Sequence, residues 1–264
     1  MNRSYLELSF WQVGLAALLL AINGGISVAL SLGLARQLAI AAVRTVVQLV
    51  LVGYVLHWVF HFDRWPIVMA MMLIMTLVAG AAAVERTHLR HHGVWIDSIL
   101  SVWASSWLMT AFALFAVVPV RPWYSPQYAV PLLGMILGNA LNGISLGLDR
   151  FSSELSAKRG QIEAALTLGA SRWEAARPSI CAAVSTGMIP TINAMMVVGI
   201  VSLPGMMTGQ LLSGVEPIQA VKYQIVIMFL ISSASALGTV GVVLLTYRRL
   251  FTAGHQFLYG LLDR

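Results

Sequence analysis

Charge is scarce in this sequence: Asp, Glu, Lys and Arg make up 10% of its 264 residues, where a water-soluble domain carries roughly 25%. Hydrophobic residues reach 59% and the mean hydropathy is +0.83, so lipid is the solvent for most of the folded surface. Cysteine is nearly missing. With Cys181 alone, the chain can build neither an internal disulfide nor a thiolate metal cluster. As a free thiol in an apolar run, Cys181 is expected to be a buried small residue. Lysine occurs only as Lys158 and Lys222, which follow Ala157 and Val221. A phosphate-binding loop needs Gly-Lys-Ser/Thr, so the chain carries no such nucleotide-binding engine. Apart from Asp97, the apolar stretches hold no acid. Ion-coupled carriers keep one near mid-membrane despite a cost of roughly 2.5–3.5 kcal/mol, and its absence points to an outside energy source.

What the sequence has in abundance is long apolar runs. Windows of about 20 mostly uncharged residues predict seven spans, at 10–34, 38–60, 65–84, 96–118, 128–148, 179–203 and 220–246. The first run is longer than a signal-peptide core and lacks a convincing small-residue cleavage site, so it is expected to remain as a span. The formal charge of +6 comes from basic residues scattered among loops, which excludes a nucleic-acid patch and reads as a topology signal. With the N-terminus outside, Arg36, Arg86, Arg90, Arg150, Lys158, Arg159, Arg172, Arg177, Arg248, Arg249 and Arg264 fall in the cytoplasm. Only Arg3, Arg64, Arg121 and Lys222 fall outside, with Arg44 inside the second span near its cytoplasmic end. The expected architecture is an all-α integral membrane protein, a single permease domain over 1–264 with about seven transmembrane helices, N-terminus outside and C-terminus inside. Tryptophans near span ends (Trp11, Trp58, Trp65, Trp95, Trp123) fit an interfacial belt. Residues 250–264 read as a short interfacial helix or, equally, as a frayed tail.

The segment 149–177 carries nine of the charges and is the natural docking place for a soluble partner. Residues 161–168 are helix formers, Gly169 is a helix stop, and Ser171-Arg172-Trp173-Glu174 is a capping box that starts the next helix. The predicted shape is helix, sharp turn, helix. Glu163-Ala164-Ala165 with Gly169 resembles the EAA coupling motif of bacterial ABC importer permeases, without the Ile and Leu-Pro that usually close it.

A broader resemblance runs from Pro131 to Tyr247. Pro131-Leu132-Leu133-Gly134-Met135-Ile136-Leu137-Gly138-Asn139-Ala140, Leu166-Thr167-Leu168-Gly169-Ala170, Ile189-Pro190-Thr191, Val201 to Gly209, and Ala220-Val221-Lys222-Tyr223-Gln224 together are similar to the FetB-type iron-export ABC transporter permease family. That family is related to plant aluminium-tolerance membrane subunits. Arg44-Thr45, Gln48-Leu49 and Gly53-Tyr54-Val55-Leu56 extend the likeness toward the N-terminus. The resemblance implies a non-catalytic plasma-membrane subunit, an inner-membrane one in a Gram-negative bacterium, working as a homodimer. A separate ABC ATPase would hold ATP and Mg, this chain would hold no cofactor, and the exported cargo would be iron or another metal ion. It also implies that Glu163, Ala164, Ala165, Gly169, Ala170, Ser171 and Glu174 couple to the ATPase.

Candidate translocation residues are polar groups and helix breaks at membrane depth. Gly134, Gly138 and Asn142 share one helix face with Asn139 close by, an arrangement that serves helix packing or a path. Pro190 cannot donate to the carbonyl of Thr186, and Thr191 and Asn193 stand beside it. Ser202, Pro204, Gly205, Met206 and Met207 break the chain on the outer side, where 203–217 is expected to form a re-entrant turn or short helix. Thioethers suit soft ions but also fill gaps. His57 with His61, and His88 with His92, are spaced to share a helix face and are weak metal candidates, which interfacial polarity explains more simply. The alternative to an ABC permease is a secondary carrier or channel working without an ATPase.

Overall fold

The computed structural model describes residues 9–62, 64–86, 90, 91 and 93–263. Two units emerge, residues 1–63 with 212–214 and residues 64–211 with 215–264. Seven helices are long and apolar enough to cross a membrane, so the expected all-helical membrane architecture is found and the chain is a multi-pass membrane protein.

The first unit is a helical hairpin of α1 (Phe10–Ala29) and α2 (Ala35–Phe62). Ser9 caps α1 through a capping box with Gln12. The connection turns on two left-handed residues, Ser31 (φ 52°) and Gly33 (φ 70°). Ser27, buried on α1, accepts from the Leu34 amide at 3.0 Å. That bond gives the turn a polar partner where water is scarce. Most side chains of both helices are exposed, as helices facing hydrocarbon should be.

The second unit comprises α3 (Trp65–Glu85), β1 (Arg90–His91), α4 (Val94–Phe112), α5 (Pro126–Ala157), α6 (Arg159–Thr167), α7 (Arg172–Val197), α8 (Gly205–Leu212), α9 (Pro217–Leu250) and β2 (Leu262–Asp263). A π-helical stretch, Ala113–Val117, continues α4. Helix α5 lies at the centre, burying Leu133, Ile136, Ile144, Leu148, Phe151 and Leu155. Its neighbours approach through small residues, the route by which transmembrane helices gain close contact when lipid is as apolar as the core. A Cβ on Gly187 of α7 would lie 2.6 Å from the Gly143 carbonyl oxygen of α5 and 2.6 Å from Thr239 Cγ2 of α9. Gly147 meets Thr239 at 2.5 Å and Gly238 meets Ile144 at 2.6 Å in the same sense. The tight crossing therefore sits below Gly134 and Gly138. Gly134 faces Met75 across 3.2 Å, and a Cβ on Gly138 would meet open space.

Two expectations are corrected. Cys181 is exposed on α7, because the usual burial of free thiols reflects proteins in water, whereas on this helix the outer surface can itself be apolar. The tail after α9 is not an interfacial helix. Phe251 and Phe257 form an antiparallel bridge and stack at 4.9 Å and 17°. On a helix, residues six apart point to different faces, so this stacking selects a turn, with His255 at φ 60°. Leu262–Asp263 then pairs with Arg90–His91.

Candidate functional site

Helix α5 has 32 residues, about 48 Å of rod, well beyond the roughly 30 Å hydrocarbon core. Its overrun past residue 148 is held by ion pairs one turn apart. Glu154, with its side chain 8% exposed, meets Arg150 and Lys158 at 2.6 Å each. The helix ends at Lys158, and α6 begins at once, tied by Arg159 Nε donating to Glu163 Oε1 at 2.7 Å.

The turn that follows is as the sequence predicts. The Gly169 amide donates to the Leu166 carbonyl (3.1 Å) and the Ala170 amide to the Ala165 carbonyl (3.0 Å), the Schellman pattern, with Gly169 at φ 96°. Ser171 Oγ accepts from the Glu174 amide (3.3 Å) while Glu174 Oε2 accepts from the Ser171 amide (2.8 Å) and hydroxyl (2.7 Å). The result is a helix–turn–helix lever with Leu168 at its apex, 88% exposed.

The tail clasps this lever. His255 Nδ1 accepts from the Arg172 amide at 2.9 Å, satisfying a first-turn donor of α7. Arg172 Nη1 donates to the Phe251 carbonyl at 3.4 Å. Aromatic rings run from Trp173 through Tyr247, Phe251 and Phe257 to Tyr259 with centroid spacings of 4.9–6.0 Å. The Arg159 guanidinium caps the row, 4.2 Å above the Tyr259 ring, and Tyr259 Oη lies 3.4 Å from Ser156 Oγ. Every joint of the lever thus touches the C-terminal segment.

At the same end of the unit, Arg249 Nε on α9 donates to both Asp97 oxygens on α4 (2.8 and 2.7 Å). Arg86 donates to Asn142 Oδ1 at 2.7 Å. Arg150, Lys158, Arg159, Arg172, Arg177 and Arg248 join them in this region, while Arg64, Arg121 and Lys222 belong to opposite helix ends. The basic asymmetry read from the sequence is therefore a real spatial asymmetry within this unit.

The candidate path residues divide. Asn139, Ser202, Pro204, Gly205 and Met206 line one cavity of about 430 Å³ between α5, α7, α8 and α9. Met207 lines a second, more apolar cavity of about 410 Å³. Asn142, Pro190 and Asn193 are in neither lining: Asn142 holds Arg86, and Pro190 and Asn193 are exposed on α7. The short helix α8 falls within 203–217, where the sequence predicts a re-entrant turn or short helix. His57 and His61 are one turn apart and exposed on α2. Among the described residues no group of three or more His, Cys, Asp or Glu is gathered. His88 and His92 lie outside the described residues.

Sequence reasoning missed Leu168 as an apex, His255 and Tyr259 as clasp residues, and Gln224 as a cavity residue. Leu168 had a signal, a bulky apolar residue directly before a glycine stop in a charged loop. Gln224 is 6% exposed, lines both cavities, and its Oε1 has no protein hydrogen-bond partner.

Comparison with known proteins gives one consistent result. Residues 10–251 match the family described as "Uncharacterised protein family (UPF0014)". The UPF0014 membrane protein slr1647 of Synechocystis sp. is 39% identical over 98% of this chain and 100% of its own length. The UPF0014 membrane protein YjkA of Bacillus subtilis is 33% identical, over 85% of this chain and 88% of its own. The probable iron export permease protein FetB of Escherichia coli is 29% identical over 94% of each chain. No solved structure matches.

Proposed function

This chain belongs to the UPF0014 family, and we propose that it is the membrane-spanning permease subunit of an ATP-binding-cassette transporter that exports iron or another metal ion. A separate ATPase supplies the work. The observation that carries the reading is the lever: a rigid helix–turn–helix with a fully projecting leucine, braced by the tail and continuous with the central rod α5. An exposed apolar anchor ringed by charge is what a docking surface presents to a cleft in a partner. Iron enters from the name of the Escherichia coli relative, a probable iron export permease, and the charge scarcity of the spans supports an external energy source.

In this reading the basic end of the second unit is cytoplasmic by the positive-inside rule, so the lever faces the ATPase and α8 faces out. Glu163, Ala164 and Ala165 lie along α6, and Gly169, Ala170, Ser171 and Glu174 hold its angle to α7. Two copies of the permease would meet two ATPases, and ATP-driven closure of the ATPases would rock the bundles between inward- and outward-open states. The chain itself carries out no catalysis.

The test is co-purification. With an epitope-tagged chain expressed in its own cell, an ABC ATPase should be recovered, and Glu163→Arg with Gly169→Pro should abolish recovery while membrane insertion persists. Leu168→Asp alone should weaken it by about tenfold, the loss of roughly 1.4 kcal/mol. An unchanged yield of ATPase from the double variant would reject the docking assignment.

A further inference from the structure

The cavity around Gln224 is the first of three neighbouring cavities along α5 and α9. It shares Met135, Met206 and Ile227 with a small apolar neck of about 40 Å³, and that neck shares Tyr128, Tyr223 and Val226 with a third cavity of about 560 Å³. Neck and outer chamber follow α5 and α9 to the end away from the lever. The inner chamber is lined by neutral donors, the amides of Asn139 and Gln224, the hydroxyls of Thr191 and Ser202, and thioethers such as Met206 and Met228. The outer chamber carries Arg121 and Lys222 beside the phenols of Tyr128 and Tyr223. Among the described lining residues neither chamber has a carboxylate, an imidazole or a thiol.

This chemistry is wrong for a bare, hard, multiply charged cation such as an iron ion, since the thioethers suit only soft ions. An ion stripped of water needs anionic ligands or a paired charge, and hard cations need oxygen anions above all. Neutral amides and thioethers offer neither, and two cationic side chains at the outer chamber repel a positive cargo while attracting a negative one. Size agrees. About 430 Å³ lies in the range of small-molecule pockets, whereas a water's share of volume is only about 30 Å³. The buried Gln224 Oε1, which has no protein hydrogen-bond partner, offers an acceptor to a hydroxyl or metal-bound water of such a molecule, beside the polar groups of Asn139, Thr191 and Ser202.

Resting on the permease reading, we propose that the cargo travels as a metal ion already wrapped in its own oxygen ligands, a complex of zero or negative net charge. It is held at Gln224 and drawn out past Arg121 and Lys222, and the bare cation is refused. The neck of Tyr128, Tyr223, Met135 and Met206 closes the passage by dewetting until a complex of that size parts it.

The experiment is equilibrium binding to the purified full chain in phosphatidylcholine nanodiscs, using radioactive ferric citrate, citrate alone, and ferrous chloride without oxygen. Ferric citrate should bind saturably and at least tenfold more tightly than ferrous ion or citrate alone. Gln224→Leu should weaken it tenfold or more. The exposed change Lys222→Glu, which leaves the core untouched, should do the same and remove most of the salt dependence. Ferrous ion binding as tightly as the complex, no saturable binding of ferric citrate, or binding indifferent to both variants would each overturn the proposal. So would tenfold competition by phosphatidylglycerol, which would make the basic face a lipid-headgroup site. The permease reading fails separately: ferric citrate bound but never moved by ATP with an ATPase present would remove that reading and leave the site. ATP-driven movement of bare ferrous ion would keep the permease and remove the site.

Discussion

Removing the Arg249 side chain should be the most costly single change at the basic end of the bundle. Asp97 occupies the first turn of α4 with its side chain 3% exposed, and the Arg249 guanidinium, 39% exposed, reaches it from the last turn of α9. One Nε straddles both carboxylate oxygens at 2.7 and 2.8 Å. Breaking a buried pair from one side costs about 3–5 kcal/mol because the remaining charge stays out of water. The partial exposure of Arg249 and a further interaction that Asp97 keeps put Arg249→Ala below that range, at about 2 kcal/mol. At about 2–4 °C per kcal/mol for a chain of this size, the melting temperature should fall by about 4–8 °C. The reverse change, Asp97→Asn, leaves a guanidinium that water can reach, so it should cost only about 1 kcal/mol. Asp97→Asn with Arg249→Met should recover most of the Arg249→Ala loss, since neutral replacement of both partners leaves no charge buried there. The assay is loss of the monodisperse size-exclusion peak after heating in detergent. If Arg249→Ala melts with the wild type, or if the double variant is no better than Arg249→Ala, the pair is not the brace described.

Three further outcomes are expected. Gly187→Val should place side-chain atoms where the Gly143 carbonyl and Thr239 already lie within 2.6 Å, costing at least the roughly 1–3 kcal/mol of core overpacking, and its yield of folded protein should drop sharply while Gly138→Ala, in open space, stays near wild type. Tyr259→Ala removes the ring under Arg159 and should cost about 0.5–1 kcal/mol, visible as faster proteolysis around Lys158 and weaker ATPase recovery with insertion intact. Gly93→Ala forces a side chain onto φ 91° and within 2.7 Å of Arg249 Nη1, so it should destabilise by about 1–3 kcal/mol and lose additivity when combined with Arg249→Ala.

The lever was legible because all of its determinants are local. Gly169, Ser171 and Glu174 set a C-terminal stop and a capping box within six residues, and the structure has both bonds of each. The spans were legible because hydropathy alone decides them, though their ends were not. Helix α5 runs to Ala157 instead of 148, since Arg150, Glu154 and Lys158 make a charged ladder that is a good helix in water and invisible to a search for apolar windows. What depends on residues distant in sequence could not be read. Arg249 and Asp97 are 152 positions apart and His255 and Arg172 are 83 apart, and no periodicity announces either. Asn139 and Met206 were picked out singly as path candidates, but only the folded bundle puts them around one cavity with Gln224. Cys181 misled because a rule learned in water was applied to a helix bathed in lipid.

Helix α5 is in tight contact with α7 at Gly143, where the Gly187 backbone leaves no room for even a methyl group. Measured along the rod, that contact is about 21 Å from Ala157 beside the lever and about 22 Å from Tyr128 at the neck. That contact is not a lone pivot: Leu133 and Ile136 on one side of it and Leu148, Phe151 and Leu155 on the other are buried as well, and Pro131 interrupts the hydrogen-bond ladder short of Tyr128. A sideways push at the charged foot therefore meets packed neighbours along the whole rod, and displacement at the tyrosine end requires those neighbours to shift with it.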